Sequence, residues 1–459
     1  MEVRRRDAVV IGAGTAGANA AYQLARRGLS VALVERRPAE LGGAQWHNGV
    51  LAWQFERAGI EPPTPPERSS SDTTVHVLGP DGTRAVTVAP GPIMRADMGL
   101  LGRRLRALAH DAGVELFDGV ERIEVHHRGD RVVAVEVHSG PDGTPTSPLR
   151  FEAPLFVDAS GRGGALRRRS PVLDRWCPPV RGPEMCAAGD HTLRVIDRDG
   201  ARRFLDRHGA APDEHVNQLA VHGGWSTRSI TVSEDLSEAN ILVGCIADGR
   251  HGTVTSMLAE ARSDEPWLGE AVSGGTGVIP LRRPYARLTA PGLALVGDAG
   301  CQVFPVHGSG IGLGLVAGRM LADAVTDHGD PGGAEALWRY QADFHRELGR
   351  DLVAFDGVRR MSTALGTEGV RRMVAAGLFS ESMTRAGLDQ RWASPSPGET
   401  LLMARRLAAD PRLASVMLPS LARAQAARVV ASRYPVDPNE GSLARWDARV
   451  ARALGPLRA

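Results

Sequence analysis

The chain contains no lysine, and all 55 of its basic side chains are arginines. A mechanism that needs a lysine amine, such as Schiff-base formation or a phosphate-binding loop built around lysine, is therefore excluded. Aromatic residues are also scarce, at 5% of the chain, so the composition does not indicate an aromatic cage around a ligand.

Only four cysteines occur in 459 residues, and none lies in a CxxC pair or at a spacing typical of a metal site. We therefore expect free thiols, a reducing cytoplasmic location and no bound metal. The formal net charge is only +2, which does not favour nucleic acid or an anionic membrane as a partner. No membrane span is predicted, because no apolar run reaches about 18 residues. No secretory signal is predicted either, because Asp7 and the glycines after it interrupt the apolar stretch.

The first strong pattern is a glycine turn between a strand and a helix. The strand DAVVI (7–11) runs directly into a GxGxxG motif, and a helix of small residues then continues to about Gly28. The residues expected to face a bound phosphate are Gly12, Gly14, Thr15, Ala16 and Gly17. Such a turn lets the backbone approach a pyrophosphate, which binds the free N–H groups at the helix N-terminus. The pattern predicts a dinucleotide-binding fold.

Glu35 ends the second strand, SVALVE (30–35). A carboxylate at this place accepts hydrogen bonds from the adenosine ribose and disfavours a 2′-phosphate, so FAD or NAD is favoured over NADP. We expect Arg36, the next residue, to contribute to the same cofactor site.

A second glycine-rich segment distinguishes FAD from NAD. It reads ALVGDAGCQVFPVHGSGIGLGLVAGRMLADAV (294–325), and it closely resembles the second FAD motif of the para-hydroxybenzoate-hydroxylase-type flavoproteins. This superfamily contains aromatic monooxygenases, flavin halogenases and geranylgeranyl reductases. The resemblance implies that FAD is the cofactor, that Asp298 binds the ribityl chain and that Pro305 lines a flavin face. It further implies backbone N–H contacts to the flavin from Gly308, Gly310 and Ile311. Physically, a helix N-terminus stabilises the negative charge of a reduced flavin.

A third segment supports the same resemblance. LFVDASGRGGALRRR (155–169) is similar to the middle motif of the superfamily, which lies near the FAD phosphates, and its DASGR wording is closer to the reductase and halogenase branches. Arg95 precedes a predicted helix at 97–112 and occupies roughly the place of a cofactor-contacting residue of the family. A solvated arginine fits that position equally well.

The predicted fold is α/β, with a Rossmann-like FAD-binding domain interleaved with a mostly β substrate domain and followed by a helical C-terminal region. The expected boundaries are 1–50, 90–170 and 292–330 for FAD binding, 51–89 and 171–291 for the β layer, and 331–459 for the helices. Within the β layer we expect HTLRVID to turn at Asp199-Gly200 into a second strand, ARRFL.

Three functions are compatible with this fold. A monooxygenase acting on a small molecule in specialised metabolism is favoured. An FAD-dependent reductase or dehydrogenase, with hydride transfer like that of the geranylgeranyl reductases, is the alternative. A binding or escort protein without a working flavin is disfavoured by the intact second motif. Halogenation is set aside because the resemblance implies a lysine and a WxWxIP motif that this chain lacks. The segment 223–228 also departs from the reductases' aromatic-Trp-aromatic-Pro pattern, so the sequence does not favour a prenyl lipid.

We expect NAD(P)H as electron donor, because in this superfamily the nicotinamide binds transiently without a domain of its own. The oligomeric state stays open. The candidate catalytic residues are His307, His222 and Arg228, with His47 and Arg282 as further polar groups. His307, inside the glycine turn, could protonate the substrate or tune the flavin, although a structural histidine would look the same. His222 and Trp225 are expected on a strand that roofs the substrate site, and Cys301 is expected to be a packing residue.

Overall fold

A computed structural model describes residues 1–139, 148–327 and 329–456 of the chain. In these ranges the strands are β1 Glu2–Arg5, β2 Ala8–Ile11, β3 Val31–Val34, β4 His47–Leu51, β5 Arg68–Ser70, β6 Val75–Leu78, β7 Arg84–Val88, β8 Ile93–Asp97, β9 Glu115–Phe117, β10 Val120–Arg128, β11 Arg131–Ser139, β12 Leu149–Glu152, β13 Leu155–Asp158, β14 Met185–Val195, β15 His215–Leu219, β16 Ser226–Val232, β17 Glu238–Ile246, β18 Leu268–Pro280, β19 Thr289–Ala290 and β20 Leu293–Leu295.

The helices in the same ranges are α1 Thr15–Ala25, α2 Ala52–Ala58, α3 Met98–Asp111, α4 Pro171–Trp176, α5 Arg198–His208, α6 Val254–Asp264, α7 Ile311–Thr326, α8 Ala334–Phe344, α9 Arg350–Ala375, α10 Glu381–Leu388, α11 Pro397–Ala408, α12 Pro411–Ala431 and α13 Glu440–Leu454. The mixed α/β class expected from the sequence, including the helical C-terminal region, is confirmed. None of the helices in the described residues is long and apolar enough to cross a membrane.

The nucleotide-binding part is a six-stranded sheet in the order β19-β20-β13-β2-β3-β9. Strands β20, β13, β2, β3 and β9 run parallel, and β2, β3 and β13 are buried at every position. Runs such as AVVI and VALV are apolar throughout because a parallel strand covered on both faces has no solvent side. The carboxyl ends of β2, β13 and β20 therefore come together at one edge, where ligands of such sheets bind.

The largest sheet has seven strands in the order β18-β14-β17-β16-β15-β6-β7. Because side chains alternate along a strand, residues paired directly across strands share a face. On one face of the sheet, Val243 and Ile241 pack with the helix α6, and we call this the outer face; the α6 residues are Val254, Met257 and Ala261. On the opposite face, which we call the inner face, the residues lie in rows across the strands: Gly277, Ala188 and Gly244 in one row, and Gly275, Asp190 and Leu242 in the next.

A three-stranded sheet, β4-β8-β5, lies against the inner face. The indole ring of Trp46, which precedes β4, packs against β18. A Cβ on Gly275 would overlap this ring, and a Cβ on Gly277 would lie 3.6 Å from it. Arg95 of β8 reaches toward Asp190 of the inner face. A fourth sheet, β1-β12-β11-β10, completes the strands.

Two local predictions for the β layer are wrong. The segment expected to form a strand after Asp199-Gly200 is the helix α5. Asp197 accepts a hydrogen bond from the backbone N–H of Asp199, and Gly209 ends the helix in the left-handed conformation. The helix buries Ala201, Phe204 and Leu205 on one face. This spacing is that of a helix, whereas the short apolar run on its own suggests a strand. Trp225 and His222 lie in the loop before β16 rather than on a strand.

Candidate flavin site

The three motifs of the sequence meet at the carboxyl edge of the six-stranded sheet. Gly12 follows β2, and an added Cβ there would overlap the carbonyl of Ala159, which follows β13. The backbone of Asp158 in turn accepts a hydrogen bond from Val296, the residue after β20. Each motif is therefore in direct contact with its neighbour along the edge.

The first glycine motif has the geometry that a phosphate-binding turn needs. Gly12 adopts φ +105°, which favours glycine. A Cβ on Gly17 would overlap the carbonyl oxygen of Gly12, so this glycine allows the helix α1 to begin directly against the strand. Gly14 is the N-cap of α1 and supplies no side-chain cap, which leaves the N–H groups of the first turn, beginning at Thr15, free to bind an anion.

Two charged side chains flank this turn. Glu35 is buried, and its carboxylate accepts hydrogen bonds from the backbone N–H groups of Ala13 at 2.7 Å and Arg37 at 3.1 Å. Arg106 of α3 is also buried, and its Nη1 donates to the carbonyls of Ala13 and Gly42. Its Nη2 is buried without a hydrogen-bond partner among the described residues. The sequence analysis missed Arg106, although the apolar face of α3 that contains it, with Leu105 and Ala109 beside it, could have indicated it.

Asp158 of the middle motif has a structural role. It is fully buried, and its carboxylate accepts hydrogen bonds from the backbone and hydroxyl of Ser160 and from the backbone N–H groups of Leu166 and Arg167. Arg167 then donates to the carbonyl of Ala299 at 2.6 Å. The DASGR loop is thus held between the first and second motifs, and none of this carboxylate's capacity is needed for a ligand.

Asp298 differs in that the described residues offer its carboxylate no hydrogen-bond partner. It sits in a one-turn 3₁₀ helix after β20 and keeps some accessible surface. Burial nevertheless raises the pKa of this carboxyl to about 6, with the charge of Arg162 acting in the opposite direction. An internal carboxylate with free acceptor positions suits a ligand that carries hydroxyl groups.

Small residues hold the helix α7 against α1. A Cβ on Gly314 would lie 2.9 Å from the Cβ of Ala16, and one on Gly318 would lie 3.1 Å from the Cα of Ala20. At the N-terminus of α7, a Cβ on Gly312 would overlap the side chain of Gln54, whose Oε1 is buried without a hydrogen-bond partner in the part of the chain that the structure describes. The N-termini of α1 and α7 therefore lie close together.

The turn before α7 carries the predicted flavin contacts Pro305, Gly308, Gly310 and Ile311. It is closed by two backbone hydrogen bonds of 2.9 Å, from Gly308 to Phe304 and from Phe304 to Ser309. Gly308 has φ +72° and lies opposite Ile279 and Leu281, each 3.6 Å from its added Cβ. The inner face of the large sheet is therefore the wall opposite this turn, which we call the flavin turn.

His307 belongs to the flavin turn, and its side chain contacts the backbone of Gly387 in α10. Its side chain is exposed, although desolvation by the surrounding protein lowers its pKa to about 4, so the ring is neutral near pH 7. Its ring lies 4.5 Å from that of Phe304, and the aromatic contact continues through Phe355 to Trp392. Cys301, at the start of the loop, is fully buried, and burial raises the pKa of its thiol to about 11, which makes it unreactive near neutrality.

The residues present fit FAD. The N-terminus of α1 and the unpartnered Nη2 of Arg106 suit the pyrophosphate. The free carboxylate of Asp298 suits the ribityl hydroxyls, and the N-terminus of α7 suits the flavin pyrimidine edge. Bound FAD would supply a two-electron centre that takes up and delivers hydride equivalents.

Two of the predicted catalytic residues lie elsewhere. Arg228 pairs across the strands with Val243, so its side chain is on the outer face, where it donates to Asp264 of α6 at 2.6 Å. His222 contacts Glu260 of the same helix at 2.6 Å. These four side chains line a cavity of about 200 Å³ on the side of the sheet away from the flavin turn. Neither residue has a contact that supports its catalytic assignment, which stays a prediction.

Trp225 lies closer to the flavin turn than its neighbour His222. It packs with Cys186, Ile246 and Leu281, and Leu281 faces Gly308.

The remaining candidates are spread over the molecule. Arg36 is exposed beside Glu35. Arg95 lies between two sheets, against Asp190 at 3.9 Å, so the cofactor contact expected for it stays a prediction. His47 pairs with Asp97 across β4 and β8. Burial lowers the pKa of His47, and the positive charge of Arg95 lowers it further. Arg282 lies 5.0 Å from the Tyr285 ring centroid.

Comparisons with known proteins agree with this site. Residues 7–67 match the family model described as FAD dependent oxidoreductase. The chain is 24% identical over 391 residues to digeranylgeranylglycerophospholipid reductase of Sulfolobus acidocaldarius, which covers 81% of this chain and 80% of that protein. It is 25% identical over 363 residues to menaquinone reductase of Mycolicibacterium smegmatis, covering 71% and 77%.

Among solved structures, the geranylgeranyl bacteriochlorophyll reductase-like protein of Thermoplasma acidophilum superposes with a TM-score of 0.69 at 16% identity, covering 91% of this chain and 100% of that one. The flavin-dependent brominase Bmp2 superposes with a TM-score of 0.60 at 15% identity, covering 89% and 100%. These likenesses show the fold.

The fold and the site together define an FAD-dependent oxidoreductase, and the resemblance to the para-hydroxybenzoate-hydroxylase-type flavoproteins is confirmed. Within that class, the named relatives favour the reductase alternative over the monooxygenase function that the sequence favoured.

Proposed function

We propose that this protein is an FAD-dependent reductase that saturates carbon–carbon double bonds of an isoprenoid lipid. The relatives that match most of the chain are named as reductases, and one acts on digeranylgeranyl groups by its name. The structural observation that carries the proposal is the wall opposite the flavin turn. Its inner-face rows next to the turn are small and apolar, with Ile279 and Cys186 in one row and Gly277 and Ala188 in the next. The indole of Trp46 covers Gly277 and adds apolar surface beside Ala188, which suits a hydrocarbon chain.

The surroundings of the flavin turn also suit hydride chemistry. Reduction of one double bond takes two electrons and two protons, and bound reduced FAD would supply both electrons with one proton as a hydride equivalent. The second proton must come from solvent or from a side chain. His307, in the flavin turn, is the candidate side chain, but desolvation lowers its pKa to about 4, so at neutral pH it would act as a neutral hydrogen-bond donor that orients the proton source. The buried rings of Phe304 and Phe355 pack together behind it.

NAD(P)H as the donor that reduces the flavin is part of this proposal. A monooxygenase is the second candidate, because the fold is shared with a flavin-dependent brominase as well as with reductases. The two functions differ in what reoxidises the reduced flavin, an alkene or molecular oxygen.

The test uses the holoenzyme reduced anaerobically with dithionite. We expect geranylgeraniol, presented in detergent micelles, to reoxidise the flavin without oxygen and to gain two hydrogen atoms for each double bond reduced, measured by flavin absorbance and mass spectrometry. Rapid mixing with oxygenated buffer is the parallel experiment. A flavin hydroperoxide whose decay speeds up with a candidate substrate, together with no anaerobic turnover, would reverse the assignment in favour of the monooxygenase.

A further inference from the structure

A group of buried polar side chains on the inner face has hydrogen-bonding capacity that the protein does not use. Four side-chain atoms in this region are buried without a hydrogen-bond partner in the described residues, and they are Ser70 Oγ, Thr73 Oγ1, Arg95 Nη2 and His215 Nε2. Buried polar groups are normally paired, so unpaired atoms gathered in one place point to a polar ligand or ordered water. We call these four residues and Asp190 the polar cluster.

Strand pairing brings the members of the polar cluster together. Ser70 and Arg95 are directly paired between β5 and β8 and share a face. Arg95 then spans the gap to the inner face, where its guanidinium lies 3.9 Å from Asp190. That gap is too long for a hydrogen bond, so a ligand atom can be shared between them. His215 lies on the inner face, because its ring contacts the hydroxyl of Thr231 at 2.8 Å. Thr231 pairs with Asn240, whose side-chain amide donates to Asp190 at 2.9 Å.

Carboxyl groups outnumber the single charged arginine around the cluster. Burial raises the pKa of Asp190 to about 6, with Arg95 opposing the rise. Burial lowers the pKa of His215 to about 4, and the charge of Arg95 lowers it further, so this histidine is neutral. Besides Asp190, the carboxyl groups of Asp213, Asp97 and Glu238 act on Arg95, so its single positive charge faces four carboxyl groups. An anionic ligand would be repelled by these carboxylates, and a cationic one by the arginine.

The cluster lies at a defined distance from the flavin turn. Ile279, which faces Gly308, is paired with Cys186 on β14, and Asp190 is four residues further along the same strand. At about 3.3 Å per residue the separation is about 13 Å. Between them the inner face carries the small residues Ala188 and Gly244. A Cβ on Gly244 would contact only its own sheet, whereas the ring of Trp46 covers Gly275 and Gly277 on the edge strand β18. A chain running along the sheet would therefore pass over Ala188 and Gly244, beside Trp46.

We propose that the polar cluster binds the head group of the substrate, and that this head group is neutral and carries hydroxyl groups. The proposal rests on the reductase function above, because it assigns the apolar stretch to the isoprenoid chain and the cluster to its polar end. Arg95 and the hydroxyls of Ser70 and Thr73 donate hydrogen bonds to the head group, and Asp190 accepts them. The cluster thereby sets which double bond reaches the flavin turn.

The test compares two probes that differ only in the head group, geranylgeraniol and geranylgeranyl phosphate. Binding to the oxidised holoenzyme is measured by equilibrium dialysis with labelled probe, and turnover by anaerobic reoxidation of the flavin. We expect the wild type to bind the alcohol more tightly than the phosphate. In Arg95→Gln we expect the Kd and KM for the alcohol to rise about tenfold or more, with kcat little changed.

Arg150→Gln is the matched control, because Arg150 is a similarly shielded, ion-paired arginine in another sheet, with side-chain exposures of 20% and 17% for Arg150 and Arg95. It should leave binding and turnover unchanged. If Arg95→Gln does not fold, the double variant Arg95→Met with Asp190→Leu removes both charges together and leaves neither unpaired. It should weaken binding of the alcohol in the same way.

Two outcomes overturn the inference. One is an unchanged Kd for geranylgeraniol in both variants. The other is a preference of the wild type for the phosphate that disappears with Arg95, which would make the cluster an anion site. If the alcohol binds in an Arg95-dependent manner but does not reoxidise the flavin, the head-group site stands and the proposed reductase function fails.

Discussion

Replacement of Asp298 by alanine gives the sharpest test of the cofactor site. Its carboxylate has no hydrogen-bond partner in the described part of the protein, and the raised pKa of about 6 leaves it mostly ionised above neutral pH. A ribityl hydroxyl donating to an ionised acceptor contributes about 1.5–3 kcal/mol. Asp298→Ala should therefore raise the Kd for FAD by about 10- to 100-fold, measured by titrating apoprotein with FAD and following flavin fluorescence.

The same carboxyl predicts a pH dependence of FAD binding. Hydroxyl donors stabilise the carboxylate and lower its pKa in the complex, so binding releases a proton from the apoprotein wherever Asp298 is still protonated. FAD affinity should rise with pH from about 5, through the pKa near 6, and level off above about 7. In Asp298→Asn, which keeps the shape and one acceptor oxygen, the loss should be smaller and the rise should disappear.

Asp158 supplies the contrasting control, because its carboxylate is already used by four donors of the protein itself. Asp158→Ala should lower the melting temperature of the apoprotein, which Asp298→Ala should not do. A Kd for FAD in Asp298→Ala within about twofold of the wild type, with the fold intact, would refute the assignment of Asp298 to the ribityl chain.

Three further perturbations test other parts of the structure. Gly314→Val should force α7 away from α1, because a Cβ already lies 2.9 Å from the facing helix; we expect a loss of about 1–3 kcal/mol in thermal unfolding, with the open position Gly398→Ala as control. Asp356→Asn leaves the buried Arg359 without its carboxylate and should cost about 3–5 kcal/mol in urea unfolding at neutral pH. Because the folded-state pKa of Asp356 lies well below the ordinary value, its contribution is present above pH 4 or so and is lost only as the pH falls through the acid range. The pKa of His307 is lowered to about 4, so His307 should not titrate near the ordinary histidine value of about 6.5. The pH–rate profiles of the wild type and of His307→Gln should therefore have the same shape around that pH.

The cofactor motifs were readable from the sequence because their chemistry depends on local backbone geometry. Gly12, Gly14 and Gly17 follow a strand and open a helix within ten residues, and Asp298 precedes a glycine turn and a second helix in the same way. The residue spacing alone specifies these turns. The structure brings the two motifs into contact through Ala16 and Gly314, as parallel strands at one sheet edge require.

The functional assignments of single polar residues could not be reached in this way. Arg228 and Arg95 are both arginines on or near strands, yet one faces the outer helix α6 and the other the inner face. The side of a sheet to which a residue points depends on register and on which layer covers each face. Arg106 likewise reaches the glycine turn only because α3 packs beside α1.

The sequence by itself determined the α/β class, the FAD cofactor and the two glycine motifs, because each is specified by contiguous residues that bend the backbone or free its N–H groups. Tertiary structure alone decided that His222 and Arg228 lie away from the flavin turn, and that Arg95, Asp190 and His215 form one cluster. These outcomes depend on pairings between strands more than a hundred residues apart, such as β6 with β15, and such pairings leave no trace in local spacing.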